Sequence, residues 1–188
     1  MRIVGGKYGS RILKAPKDDA IRPTSDKLRG AIFNMLRSRG VLDDALAMDC
    51  FCGTGALGIE ALSQGAAHCV FVDNSRASFD LAKENAEALK IGSEAEFIFR
   101  DATKMGPRPP GIPARTLVFL DPPYRENLIP QALESLQQGG WLVADAMCVI
   151  EAEKDFAAAL PPGISAVDER LYGETKLMLA IASSSVPE

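Results

Sequence analysis

The stretch Ala45-Leu46-Ala47-Met48-Asp49-Cys50-Phe51-Cys52-Gly53-Thr54-Gly55-Ala56-Leu57-Gly58-Ile59-Glu60 decides the fold. Residues 45–50 form a short apolar run that reads as a strand, and the glycines turn the chain. A helix follows, which Gly65 ends. Downstream the pattern repeats. Residues 69–73, 96–100, 116–121 and 141–152 read as strands, and residues 75–91 and 127–138 as helices closed by Gly92 and by Gly139-Gly140. A short helix is expected over 154–160, and residues 165–171 and 175–182 flank Tyr172-Gly173-Glu174 as a hairpin. Repeated strand–helix alternation implies parallel strands joined by right-handed crossovers, an α/β doubly wound sheet of seven strands, mostly parallel. The closing hairpin adds an antiparallel strand at or near one edge.

Upstream, Leu28, Ile32, Met35 and Leu36 recur at helical spacing, with Thr24 or Ser25 as N-cap and Gly40 as stop. Before that helix, residues 2–14 read as a β-hairpin arm with glycines at its turn. The expected organisation is therefore an arm over residues 1–21, a main domain over 22–182 and a frayed tail over 183–188.

The chain has 188 residues, 47% of them apolar, which suits one domain burying roughly 70% of its unfolded surface. No run approaches a membrane span, and Met1 to Lys7 has no apolar stretch of the secretory kind. The four cysteines lie in apolar runs, Cys50 and Cys52 are too close for a Cys-x-x-Cys knuckle, and His68 is the sole histidine. These features argue for a reducing cytoplasm and against a metal site or a membrane partner. Charge is distributed unevenly. Residues 1–40 carry ten Lys/Arg against three Asp, a net of +7, while the other 148 residues carry eleven against twenty-two, a net of −11. Such a split suits a basic arm that meets a polyanion, with Arg2, Lys7, Arg11, Lys14 and Lys17 as the candidate contacts. A solvated basic surface would look the same.

Ligands of doubly wound sheets bind beyond the carboxyl ends of the strands. Gly53, Gly55 and Gly58 satisfy G-x-G-x-x-G, and Asp73 ends the second strand 20 residues after Gly53. That pattern alone suits a dinucleotide equally well. Asp49 breaks the tie: a carboxylate just ahead of the loop repels a pyrophosphate but suits a ligand with ammonium and sulfonium centres. S-adenosylmethionine (AdoMet) is therefore favoured over NAD. Asp73 can accept the ribose hydroxyl hydrogens, and Asp101, ending the third strand, the adenine amino hydrogens. Most specific is Asp121-Pro122-Pro123-Tyr124 at the end of the fourth strand. The prolines stiffen the turn, so the Asp121 carboxylate and the Pro122 carbonyl stand as fixed acceptors. Two acceptors gripping an exocyclic amine would aim its lone pair at a methyl donor, and Tyr124 offers a face on which the base stacks.

Together, residues 49–60, Asp73, Asp101 and residues 121–124 resemble the class I AdoMet-dependent methyltransferases that modify amino groups. With residues 2–6, 11–16, 22–29, Phe33-Asn34 and 172–175, the chain closely resembles the RsmD family, almost end to end. The resemblance implies a Rossmann-like fold and methylation of guanine N2 in 16S small-subunit ribosomal RNA, on naked RNA or an assembling subunit, by a monomer. It implies AdoMet as cofactor, with S-adenosylhomocysteine as product. AdoMet would be held by Asp49, Cys50, Phe51, Gly53, Thr54, Gly55, Gly58, Asp73, Asn74, Asp101 and Ala102, with Arg22 and Thr24 at its methionine end. The guanine would be held by Asp121, Pro122, Pro123 and Tyr124. Many relatives carry Glu where Asp73 stands. DNA adenine-N6 methyltransferases share Asp-Pro-Pro-Tyr, but 188 residues leave little room for a separate target-recognition domain. An NAD-linked oxidoreductase lacks a second domain and a proton-donor histidine here, since His68 is expected at the surface. A non-catalytic nucleotide-binding module is the third reading.

Overall fold

The computed structural model describes residues 1–15, 25–123, 127–157 and 159–183. The expectations attached to Lys17, Arg22, Thr24 and Tyr124, and to the tail after residue 183, fall outside the described residues. Seven strands form one sheet: β1 (Leu46–Cys50), β2 (His68–Asp73), β3 (Ala95–Phe99), β4 (Arg115–Leu120), β5 (Leu142–Glu153), β6 (Ile164–Tyr172) and β7 (Thr175–Ala182). Their order is β3-β2-β1-β4-β5-β7-β6. β1 to β5 run parallel, β7 pairs antiparallel with β5, and β6 closes the edge antiparallel to β7. The order reverses between β1 and β4, the switch point at which such sheets open a crevice.

The helices are α1 (Asp26–Ser38), α2 (Ala56–Ser63), α3 (Arg76–Ala88) and α4 (Leu128–Gln138). Ser25 caps α1, its hydroxyl accepting the Leu28 N–H at 3.2 Å, and Gly40 leaves the helix in the left-handed region at φ 66°. Alternation along the strands splits the core in two. Ala47, Phe71, Leu117 and Phe119 face the side of α1, α2 and α3, where Phe33 of α1 lies 5.7 Å from Phe119, centroid to centroid. Met48, Cys50, Val72, Val118 and Leu120 face α4 and Trp141. All four cysteines are free and buried, as their apolar surroundings imply. No helix among the described residues is long and apolar enough to cross a membrane.

Three expectations need correction. Residues 2–14 fold back like a hairpin but form no full strands: one antiparallel bridge joins Arg2 to Ile12, flanked by Ile3 N–H to the Arg11 carbonyl at 2.9 Å and Leu13 N–H to the Met1 carbonyl at 3.1 Å, and a 3-10 turn, Gly6–Tyr8, replaces the tight glycine turn. The reason lies in the donors. Beyond Ile3 the chain turns to α2: the Val4 and Gly5 N–H groups donate to the Glu60 carboxylate at 2.8 and 2.9 Å, and Tyr8 N–H donates to Ser63 Oγ at 2.9 Å, so the Gly5 N–H is not left for the next rung of a ladder. Ile3 and Leu13 are buried in the same core as the helices, so the arm is packed into the body rather than appended to it. Secondly, the helix expected over 154–160 does not form among the described residues. β5 runs on to Glu153, and Lys154-Asp155 make a turn. Phe156 N–H closes the turn on the Glu153 carbonyl at 2.9 Å, and the Phe156 carbonyl, which a helix would offer to residue 160, accepts from Lys176 Nζ at 2.6 Å. Thirdly, His68 is half-buried as the first residue of β2, its Nδ1 3.3 Å from the Arg115 guanidinium. Burial, and then Arg115, push its pKa down.

Candidate active site

β1 ends at Cys50, which pairs with Val72 on one side and Leu120 on the other. One residue beyond that row stand Phe51, Asp73 and Asp121, on three neighbouring strands at the switch point. Cys52 N–H bonds the Val72 carbonyl at 3.0 Å and so carries the ladder one step further. The chain then turns back through Phe51, Gly53 and Gly55, all left-handed, at φ 60°, 54° and 76°. Glycine adopts that region freely, whereas Phe51 stores strain of about 1–3 kcal/mol, held because its ring packs against the α4-side core. Gly58 has a different task. A Cβ there would lie 2.4 Å from Phe71 Cε1 and 2.7 Å from Cys69 Sγ, so only glycine lets α2 pack this closely on β2.

Two strand-end acids brace this loop. Asp73 Oδ2 accepts the Gly53 N–H at 2.9 Å while Oδ1 accepts Ser75 N–H at 2.8 Å. Asp49, 1% exposed, accepts the Gly58 N–H through Oδ2 at 2.8 Å. Burial raises the pKa of both carboxyls, of Asp49 strongly, and these backbone donors pull back against it. The negative charges of Asp121 and Asp73 push Asp49 up further. The three acids therefore stand close enough around the glycine loop to oppose one another's ionisation, and a cation placed among them would favour their charged forms. A carboxylate has about four lone-pair sites, so Asp73 keeps acceptor capacity beyond its backbone partners. This set of acceptors fits a cationic ligand with hydroxyls, and opposes a pyrophosphate in the same place.

Asp101 is engaged on one side: its Oδ1 accepts Thr103 N–H at 2.9 Å and the Thr103 hydroxyl at 2.7 Å, capping the 3-10 turn Ala102–Lys104. Asp121 is half-buried after β4, Pro122 is buried and Pro123 is exposed. Asn74 is exposed, whereas Ala102 is buried and the Cys50 thiol lies wholly in the α4-side core, pushed up in pKa by burial. Thr54 is buried, its hydroxyl 3.7 Å from Met1 Sδ. On the arm, Lys7 pairs with Glu94, Lys14 with Glu84 at 2.9 Å, and Arg2 with Asp26 at 3.6 Å. The body's acids thus neutralise part of the arm's charge. All six side chains in these pairs are substantially exposed, so each pair is worth about 0–1 kcal/mol.

Sequence reading missed Glu60 and Asn85. Glu60 is fully buried in an apolar helix, where it accepts Val4 and Gly5 N–H and Gln64 Nε2–H, with Arg29 Nε 3.9 Å away. An acid in the middle of Leu57-Gly58-Ile59-Glu60-Ala61-Leu62 was the available signal, because a buried carboxylate needs donors. Asn85 on α3 had no such signal.

Comparison with known proteins places the chain. Ribosomal RNA small subunit methyltransferase D of Escherichia coli K12 is 34% identical over 180 residues, covering 95% of this chain and 88% of that protein. The protein of the same name from Haemophilus influenzae is 32% identical over 174 residues, covering 92% and 89%. The solved structure of yhhF from Escherichia coli superposes with a TM-score of 0.84 at 30% identity, over 98% of this chain and 99% of that one. The family model described as Conserved hypothetical protein 95 matches residues 1–181. With a family model spanning residues 1–181 and 34% identity over 95% of its length, the chain belongs to this family, that of the ribosomal RNA small subunit methyltransferase D proteins.

Proposed function

We propose that the protein methylates the exocyclic N2 of a guanine in 16S small-subunit ribosomal RNA, with AdoMet as methyl donor. The observation that carries this reading is the placement of Asp49, Asp73 and Asp121 around a left-handed glycine loop at the switch point, with Asp73 holding Gly53 and Asp49 holding Gly58. Membership of the family supports ribosomal RNA as the polymer, and the likeness of residues 121–124 to amino-group methyltransferases supports an exocyclic amine as acceptor. Guanine N2, rather than another amine, rests on the RsmD resemblance.

Bound AdoMet supplies an electrophilic methyl group on a sulfonium centre. The chain's own residues do the rest. Asp73 turns its spare acceptor capacity to the ribose hydroxyls, and Asp101 turns its other oxygen to the adenine amine. Asp49 holds the loop closed through Gly58 and ionises more readily when a cationic ligand lies above it. Asp121 and the Pro122 carbonyl accept the two N–H bonds of the target amine, which orients a lone pair otherwise delocalised into the base. As positive charge develops on that nitrogen the Asp121 carboxylate stabilises it, and the proton leaves to Asp121 or to water. Tyr124 is assigned the stacking face on its sequence position alone. Methyl incorporation from labelled AdoMet tests the choice of polymer. Small-subunit RNA from cells lacking the protein should take up label and duplex DNA should not; the reverse would favour a DNA methyltransferase.

The raised carboxyls set a pH dependence. Where a folded carboxyl has a raised pKa, the folded state holds protons that the unfolded state has already released, so stability of the free protein falls as pH rises through that window. A cationic ligand favours the ionised acids and reverses this. AdoMet binding should release protons, and its affinity should fall as pH drops from neutral toward the ordinary carboxylate range. Calorimetry in buffers of different ionisation enthalpy checks both; pH-independent affinity would show that Asp49 and Asp73 do not face the ligand.

The arm yields a second expectation. Flipping a base out of a stack costs a few kcal/mol, which contacts to flanking RNA must offset. Exchanging an exposed carboxylate partner for a phosphate is cheap, so Arg2, Lys7 and Lys14 remain available, together with Arg11 and Lys17. Neutralising all five should weaken RNA binding and lower the log–log salt slope by roughly 0.7–0.9 per lost contact. AdoMet affinity should hold, because the arm is tied to the body by backbone groups rather than by these charges. An unaltered slope would make the arm structural only.

A further inference from the structure

One buried amide joins the arm to the glycine loop. Asn85 is 1% exposed on α3, between the arm and the turn from β1 into α2. Its Oδ1 accepts the Lys14 N–H at 2.8 Å, and its Nδ2 donates to the Lys14 carbonyl at 3.2 Å and to the Thr54 carbonyl at 2.9 Å. Thr54 stands between Gly53, held by Asp73, and Gly55, held by Cys52. Lys14 belongs to the arm, and its ammonium is in the exposed pair with Glu84 while its backbone is fixed. The arm is tied a second time to the same region, through Glu60 and Ser63 of α2, the helix that the glycine loop opens.

A buried side-chain amide bonded to two segments cannot release one without leaving its own oxygen or one of its N–H groups unpaired, so it is fully satisfied only with Lys14 and Thr54 held together. A ligand that fixes Thr54 therefore also fixes Lys14, and an anchored arm also fixes the loop. We propose that Asn85 is a positioning residue that couples AdoMet binding to RNA capture, so that each ligand raises the affinity of the other. This rests on the glycine loop being the AdoMet site. Reciprocity requires that the factor by which AdoMet tightens RNA binding equal the factor by which RNA tightens AdoMet binding. Coupling by this route favours a protein already loaded with donor when it engages RNA.

Amide hydrogen exchange on the whole protein, with and without saturating AdoMet, is the direct test. If opening the Lys14–Asn85–Thr54 contact abolishes AdoMet binding, ligand at about a hundred times its Kd should slow exchange at the Lys14 amide up to about a hundredfold, and at least about tenfold. S-adenosylhomocysteine should correspondingly tighten binding of small-subunit RNA by about fivefold or more, and Asn85→Ala should abolish that enhancement. A purely structural role would weaken both ligands without changing the factor that links them. If Asn85→Ala does not fold, the parental exchange data still decide. Slowing at Gly53 and Gly55 with no change at Lys14 overturns the coupling and leaves the cofactor site standing. No slowing at Gly53 and Gly55 removes the site as well, and the coupling with it.

Discussion

Asp121→Ala is expected to bind AdoMet close to normally and to methylate RNA about a hundredfold or more slowly in a single turnover. The scale is that of one electrostatic contact made chiefly in the transition state. Asp121 follows Leu120, which pairs with Cys50, so it stands beside the start of the glycine loop on the far side of the switch point from Asp73. Pro122 is buried behind it and fixes the direction in which the turn leaves β4. Loss of the carboxylate removes an acceptor for the amine and the charge that meets positive nitrogen, while the loop braces at Asp49 and Asp73 are untouched. Removing this like charge also relieves Asp49, so AdoMet affinity has no reason to collapse. Asp121→Asn keeps an acceptor and loses the charge, and its rate should fall between the two. A parental single-turnover rate in folded Asp121→Ala would exclude the acceptor role.

Asp73→Ala should show the opposite pattern, with weak cofactor binding as its main defect. Here the structure strengthens the expectation. The carboxylate holds Gly53 and Ser75 by their N–H groups, so its removal loosens the loop as well as removing the proposed ribose acceptors. Two charge-assisted hydrogen bonds are worth about 1.5–3 kcal/mol each, and even partial loss weakens binding at least about tenfold. Calorimetric titration measures it, with a thermal melt to establish folding. Unchanged affinity in a folded Asp73→Ala protein would remove Asp73 from the site.

Period and punctuation made the sheet legible before any coordinates: each apolar run of four to six residues followed by a glycine-stopped helix became one parallel strand and its crossover. The strand-end acids could be read for the same reason, because their positions follow from strand ends. Their second roles could not. That Asp73 and Asp49 hold Gly53 and Gly58 depends on how the loop folds back, which no local pattern encodes. The arm was legible only in part. Ile3 and Leu13 do bond across it, but Val4, Gly5 and Tyr8 find their acceptors on Glu60 and Ser63, 55 or more residues away, which a local hairpin reading cannot see. Asn85 is the extreme case, a polar residue on an ordinary helix whose importance comes from meeting Lys14 and Thr54 at once. The helix over 154–160 failed through competition, since Lys176 of β7 takes the Phe156 carbonyl that a short helix would have used.

The most direct measurement is nucleoside analysis of the methylated product. Small-subunit ribosomal RNA from cells lacking the protein would be incubated with tritiated-methyl AdoMet and the purified chain, digested, and its nucleosides separated. The expected result is label in N2-methylguanosine, lost in Asp121→Ala. Label in N6-methyladenosine, or none in RNA at all, would contradict the assignment of guanine N2 as the acceptor.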